Sequence, residues 1–341
     1  MAKINKIGLE KSDYSGAPNT LCPGCGHTSI SKQIVSAAFE LNLIPEKVMK
    51  FSGIGCSSKS PTYFMGRSFG FNSLHGRMPA IATGAIIGDH TLKAIGVSGD
   101  GDTANIGMGH FKHIMRRNVP ILYIVENNGV YGLTKGQFSA TADLGLSLKH
   151  QGINKEMPVD IVMEALCSQA TFVARSFAGD AVQVKKLIKA GLSHDGIAVI
   201  DIVSPCVTFN NKGSSMFSFP WAKEHRELLH DFNFISSFDE ISIDDYDKGS
   251  DTVVSMHDGS KIVLQKTNHN YDPTDRIEAM GAVQESRKNN VLLTGLIYVD
   301  MESKPFIDVI GLTPGKPLNR FTQKDTRPSK EALDKINQIM F

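Results

Sequence analysis

The sequence lacks any run of apolar residues long enough to span a bilayer, which takes about 20 positions, so no transmembrane helix is expected. Its opening stretch, MAKINKIGLEKSDYSG, has no signal-peptide apolar core. A cytoplasmic, reducing compartment is therefore expected, where structural disulfides are disfavoured. Net charge is also scarce: at +1 the chain has no basic footprint for nucleic acid and no attraction to an anionic membrane. Internal repeats and low-complexity segments are absent. Cysteines are few, at positions 22, 25, 56, 167 and 206, and without disulfides they need another explanation.

What is present is an ordinary globular composition, 41% apolar and 21% charged over 341 residues, enough for a sizeable core. After the turn LCPGCGH (21–27), residues 27–43 have helical apolar spacing, with Thr28 or Ser29 as the expected cap. KVMKFSGIGC reads as a strand ending at Gly53, and PAIATGAIIGDH as a small-residue helix. KAIGVSGDGD is a strand and a Gly-rich turn, IGMGHFKHIMRRN a helix and VPILYIVENN a buried strand. VDIVMEALCSQA, TFVARSF, DAVQVKKLIKAGLSHDG and IAVIDIVSPC continue the alternation. The fold class is α/β with a doubly wound, mostly parallel sheet. Past about residue 215 the character changes: FDEISIDDYDKGSD is acidic and loop-like, and VVSMHDGSKIVLQK predicts a hairpin about Asp258–Gly259. The expected division is a ligand-binding domain over 1–235 and an irregular C-terminal extension, 236–341, packing on the core or on a partner chain.

Ligands of open parallel sheets bind at the carboxyl ends of the strands. Cys56, Asp100, Asn127, Asn128 and Cys206 each follow a predicted strand, so one sheet edge should carry them all. In GDGD (99–102) the glycines let backbone approach a ligand, and the following helix N-terminus attracts phosphate. An Asp carboxylate, an Asn carbonyl and a backbone carbonyl suit Mg²⁺, which completes its shell with phosphates and water. Either motif alone is more often a plain turn. Together, with 25 residues of helix and strand between GDG and Asn127–Asn128, they describe a Mg²⁺–diphosphate clamp, and the spacing resembles the thiamine diphosphate-binding motif.

Cys22 and Cys25 precede the first helix, and Cys56 and Cys206 lie on the ligand edge. Four thiolates there suit a 4Fe–4S cluster or a Cys₄ zinc site, and spacing does not choose between them. A redox cluster has chemical use beside a thiamine site, which favours iron. Cys167, on a helical stretch, is expected to be a buried small apolar residue.

CPGCGH, GIGCSS, LHGRMPAIATGA, GDGD, ENNGVYGLTKGQ and SPCVTFNN together resemble the β subunit of 2-oxoacid:ferredoxin oxidoreductases, most closely the 2-oxoglutarate branch. The resemblance runs from about residue 15 to 235, with the acidic stretch and tail similar in order. It implies a thiamine-diphosphate-binding fold of the PP type that holds thiamine diphosphate, Mg²⁺ and one 4Fe–4S cluster. The implied cluster ligands are Cys22, Cys25, Cys56 and Cys206, and the implied Mg²⁺ ligands are Asp100, Asn128 and the Val130 carbonyl. Implied cofactor contacts are Ile54, Gly55, Ser57, His75, Gly99, Gly101, Asp102, Gly132 and Thr134, with Leu133 bounding the substrate pocket. A separate α chain, in an α2β2 assembly, would supply the second thiamine-binding domain, the coenzyme A site and the glutamate that polarises the aminopyrimidine. The implied reaction is the reversible, coenzyme A-dependent oxidative decarboxylation of 2-oxoglutarate to succinyl-CoA, with ferredoxin as electron acceptor.

His75 and Arg77, in the shaped loop LHGRMP, are candidates for holding substrate carboxylate or cofactor phosphate. Lys59 either meets the distal carboxylate of a dicarboxylic 2-oxoacid or is a solvated lysine. The competing functions are an oxidoreductase for pyruvate or a branched 2-oxoacid, a non-oxidative thiamine enzyme component, and a non-catalytic zinc module. Four placed cysteines argue against the non-oxidative enzyme.

Overall fold

The computed structural model describes residues 4–229, 251–255, 261–265 and 271–340. Eight strands form the main sheet: β1 (Val48–Ser52), β2 (Phe69–Asn72), β3 (Lys93–Gly99), β4 (Leu122–Asn127), β5 (Phe172–Phe177), β6 (Ala198–Val203), β7 (Arg226–Leu228) and β8 (Leu292–Val299). Their order is β7-β8-β5-β6-β4-β3-β1-β2. All neighbours run parallel except β8 and β5, which pair antiparallel with an irregularity between Leu296 and Tyr298.

β4, β5 and β6 are buried at every position. That is why their sequences are near-continuous apolar runs, as expected for strands covered on both faces. Successive side chains still alternate. Tyr123 and Val125 enter one core layer, while Leu122 and Ile124 enter the other. Fully burying a side chain such as Ile124 contributes about 1.5–3 kcal/mol. Helices α1 (Gly26–Glu40) and α5 (Ala181–Ser193) cover one face and pack on each other. α2 (Met78–Gly88), α3 (Met108–Arg116), α4 (Ile161–Cys167) and α7 (Arg276–Lys288) cover the other. A short α6 (Phe219–His225) buries Trp221 beside Phe177 and Phe217.

Several elements differ from the sequence reading. α1 starts at Gly26, with Cys25 in the cap position, instead of being capped by Thr28 or Ser29. The Thr28 hydroxyl is occupied by the Asn19 side-chain amide, 2.6 Å away. The earlier start brings the turn hard against the end of β6, where a Cβ on Gly26 would stand 2.4 Å from the Ser204 hydroxyl. β2 is an exposed edge strand with no buried face, so nothing in its sequence marks it. Cys167 is exposed, not buried. It is the last residue of α4, whose inward positions are Ile161, Val162, Ala165 and Leu166.

Within 236–341, α7 and β8 do more than pack on the core. Ala279, Val283, Leu293 and Ile297 belong to the main hydrophobic cluster, and β8 is an interior strand of the sheet. Beyond β8 the described chain is irregular, with short helices ending in Lys330–Met340. The expected hairpin has its two strands, Asp251–Ser255 paired antiparallel with Lys261–Gln265. Its turn at Asp258–Gly259 and residues 238–250 of the acidic stretch lie outside the described residues. No described helix is long and apolar enough to cross a membrane.

Candidate cofactor and thiol site

The carboxyl ends of β1, β3 and β4 open onto one cavity. Its wall contains Ile54, Gly55, Cys56 and Ser57 after β1, Gly99 to Asp102 after β3, and Asn128 and Val130 to Thr134 after β4, with His75 closing one side. Every residue assigned to the cofactor from the sequence therefore faces the same space. Arg77 and Lys59 are not in this wall.

Asp100 is buried and surrounded by donors. Its carboxylate accepts from the Thr141 hydroxyl at 2.6 Å, from the Gly129 N–H at 3.1 Å, from the Asn128 N–H at 3.4 Å, and from the Ser139 hydroxyl. Burial pushes its pKa up, and these donors pull it back. The Asn128 side-chain oxygen accepts from the Val130 N–H at 3.0 Å, which fixes the loop. Gly101 is required by close packing: a Cβ there would stand 2.4 Å from the Tyr131 ring, whose hydroxyl donates to the Gly101 carbonyl at 2.9 Å. The chain then makes a π turn over Asp102–Ile106 before α3 begins, a distortion that often marks functional sites. Asp102 looks partly away from the cavity. It accepts from the Gly76 N–H at 2.8 Å and the Ser98 hydroxyl at 2.6 Å, and its other contact is His75 Nδ1.

Two features leave room for a ligand. The Ser57 hydroxyl is buried and has no hydrogen-bond partner among the described residues, a costly state unless a ligand completes it. Gly55 has φ +117°, and a Cβ built there would meet no atom of the described residues within 4 Å. Together with the oxygen donors of Asp100, Asn128 and Val130, this spare hydroxyl and open cradle fit a metal-bound diphosphate.

The thiols gather on the far side of the same wall. A Cβ placed on Gly132 would lie 3.5 Å from the Cys56 sulfur and 3.6 Å from the Cys206 sulfur. Cys22 lies against the Cys206 loop, with the Thr208 hydroxyl 3.9 Å from its sulfur. Burial pushes the Cys25 thiol up to about 12, and nearby Cys206 and Cys56 add to the rise. Cys56 is also raised, first by burial and then by Cys206 and Cys22, with Lys59 acting in the opposite direction. Two thiols whose anionic forms are disfavoured by burial and by neighbouring thiols suit a cationic iron centre. Among the described residues, no three His, Cys, Asp or Glu side chains stand close enough to share one metal ion. Zinc holds each thiolate at about 2.3 Å, so a site for it would need these sulfurs drawn together.

Sequence reasoning missed three members of the wall, His27, Glu126 and Tyr131. Glu126 had a readable signal, an acid at the end of the otherwise apolar run ILYIVE. It is fully buried, and both its oxygens lie 2.9 Å from the Ser60 hydroxyl. Burial holds its pKa well above the usual carboxylate range, while burial lowers His27 to about 4. Although His27 Nδ1 is 3.7 Å from Glu126, burial disfavours the charged form of both groups. The histidine's partner is the Ser204 hydroxyl at 2.7 Å.

A stability test follows. Unfolded, Glu126 releases its proton above about pH 4.3, whereas burial shifts that release in the folded chain to higher pH. The unfolded state then binds fewer protons, so stability falls as pH rises through that window. Glu126→Gln removes the slope, and its gain in thermal stability over the parent should grow as pH rises above about 4.3. A gain independent of pH would show that the carboxyl is ionised in the folded chain. His27 acts in the opposite sense, costing stability as pH falls from about 6.5 towards its folded value of about 4.

Residues 53–202 match the thiamine pyrophosphate enzyme family's C-terminal TPP-binding domain. Sheet, cavity and this match define the class: a thiamine diphosphate-binding domain of a TPP enzyme. Among curated relatives, the chain is 44% identical over 196 residues to the 2-oxoacid:ferredoxin oxidoreductase subunit beta of Saccharolobus solfataricus, covering 57% of this chain and 64% of that one. It is 37% identical over 193 residues to the 2-oxoglutarate synthase subunit KorB of Methanocaldococcus jannaschii, covering 56% of this chain and 71% of that one. A solved 2-oxoglutarate:ferredoxin oxidoreductase from Magnetococcus marinus, with 2-oxoglutarate, coenzyme A and succinyl-CoA bound, superposes with a TM-score of 0.74 at 27% identity, covering 100% of both chains. The chain belongs to the family of 2-oxoacid:ferredoxin oxidoreductase β subunits. The match spans less than two thirds of the Saccharolobus relative's length.

Proposed function

We propose that this chain is the β subunit of an enzyme converting 2-oxoglutarate, coenzyme A and oxidised ferredoxin to succinyl-CoA, carbon dioxide and reduced ferredoxin, reversibly and in a reducing cytoplasm. The observation that supports the proposal is one cavity wall that holds Ser57, Asp100, Asn128 and Val130 together with Cys56, with the Cys206 sulfur beside it and Cys22 against the Cys206 loop. Thiamine diphosphate, when bound, supplies the electron-accepting ring that decarboxylation of a 2-oxoacid requires.

Asp100, Asn128 and the Val130 carbonyl hold Mg²⁺, and the Ser57 hydroxyl and the backbone from Gly99 to Gly101 receive the diphosphate. His75 presents its ring at the cavity edge for substrate or phosphate, and Leu133 bounds the substrate end. The four cysteines would hold a 4Fe–4S cluster, a wider guest than a single ion, which would supply one-electron chemistry. Lys59 works on the Cys56 thiolate, which its charge favours. The cavity, at about 130 Å³, is smaller than the roughly 300–1,000 Å³ of a complete ligand pocket. That supports a half-site whose other wall belongs to an α subunit, which also carries the coenzyme A site. The substrate assignment draws on the relatives named for 2-oxoglutarate.

Co-purification with the α subunit under anaerobic conditions tests the proposal. The complex should be brown, bleach with dithionite, and reduce a low-potential ferredoxin when given coenzyme A and 2-oxoglutarate. Turnover of 2-oxoglutarate should exceed that of pyruvate by at least about tenfold, the worth of one charged hydrogen bond to the distal carboxylate. Faster turnover of pyruvate would reassign the substrate, and a colourless, iron-free complex would remove the redox reading.

A further inference from the structure

We infer that Asn210 couples the thiol site to the cofactor–metal site, so that filling either one strengthens binding at the other. This rests on the site reading proposed above. Asn210 is fully buried, and its N–H donates to the Cys206 carbonyl at 2.9 Å, closing the turn that carries the fourth thiol. Its side-chain amide donates to the Asn128 carbonyl at 3.0 Å. Asn128 in turn sits in the loop whose N–H groups meet Asp100 and whose side chain holds Val130. One amide therefore joins the turn of a cluster ligand to the loop of the metal donors.

A second connection runs beside it. Gly132 has the cofactor cavity on one side and the sulfurs of Cys56 and Cys206 on the other. Four residues on, the backbone at Gly136 is pressed against Phe209, a neighbour of Asn210, where a Cβ would stand 2.9 Å from the ring. Neither Asn128 nor Asn210 is open to water, so their bond has no solvent substitute. A guest that orders the Cys206 turn fixes Asn210, and Asn210 then fixes the Asn128 backbone in its metal-binding position. Thermodynamic linkage requires the effect to be equal in both directions.

The experiment uses the full chain in complex with its partner subunit. The affinity for thiamine diphosphate with Mg²⁺ is measured by calorimetry with iron in place and again after anaerobic removal of iron by an oxidant and chelator. In the parent, iron removal should weaken cofactor binding by about five- to tenfold, the lower range of coupling between sites. Asn210→Ala should bind the cofactor about as weakly as the iron-free parent, and iron removal should then change nothing. Asn210→Asp keeps the shape but loses the donor, and it serves as the second variant should alanine disturb folding. Equal affinity in the parent with and without iron, or an unchanged ratio in both variants, would overturn the coupling. A parent complex that takes up neither iron nor thiamine diphosphate would overturn the function itself and this inference with it.

Discussion

Asp100→Ala will abolish binding of thiamine diphosphate with Mg²⁺. The carboxylate is the formal negative charge among the proposed metal donors, and without it the diphosphate faces a metal too weakly held to neutralise it. Changes to groups that merely orient metal ligands cost about 10–100-fold in affinity, so removing a direct ligand should cost more than about 100-fold. Alanine also strands the N–H of Gly129, which now donates to the carboxylate, and leaves the Ser139 and Thr141 hydroxyls only each other and the Asn127 side-chain oxygen. Each orphaned buried donor costs about 1–3 kcal/mol. Asp100→Asn keeps an acceptor for them and should show the same loss of cofactor with a milder loss of thermal stability. Calorimetry decides: unchanged affinity in the asparagine variant would take Asp100 out of the metal site.

Cys206→Ser should lose most of its iron and all measurable ferredoxin reduction, while Cys167→Ser keeps both. A hydroxyl does not replace a thiolate as an iron ligand. The Cys206 and Cys56 sulfurs lie on the same side of Gly132, whereas Cys167 is exposed at the end of α4. Iron per chain, measured on anaerobically purified complexes, should separate the two variants. Matching losses would mean that the four grouped thiols are not the ligand set.

The central strands were legible because parallel strands buried on both faces leave apolar runs that few other structures produce. ILYIVE and AVIDIV are of this kind. The cofactor wall was legible for a related reason. In such a sheet, whatever follows a strand falls on one edge, so Cys56, Asp100, Asn128 and Cys206 could be brought together without knowing any distance. β2 could not be read this way, because an exposed edge strand of four residues buries nothing. β8 was hidden differently. It is an apolar run of ordinary strand type, but it follows a long polar stretch and inserts back into a sheet that looked complete. Glu126 and His27 were missed because a lone acid or histidine next to a strong motif reads as part of that motif. Burial, which is tertiary information, is what makes them unusual.

The position of β8 has a consequence for how the chain is made. β7 pairs with β8, and β8 fills the place between β7 and β5. While the ribosome has released only the first 230 or so residues, β7 has no neighbour and the edge of β5 stands open, with its backbone groups available to any other strand. The sheet closes when residues up to Val299 have emerged, well after the cofactor wall is complete in sequence. Nascent chains that stall between these points, or proteolytic products that end there, should therefore carry a formed cofactor wall on a body prone to self-association. Chaperone dependence during synthesis should be set by this late strand more than by the cysteine-bearing turns.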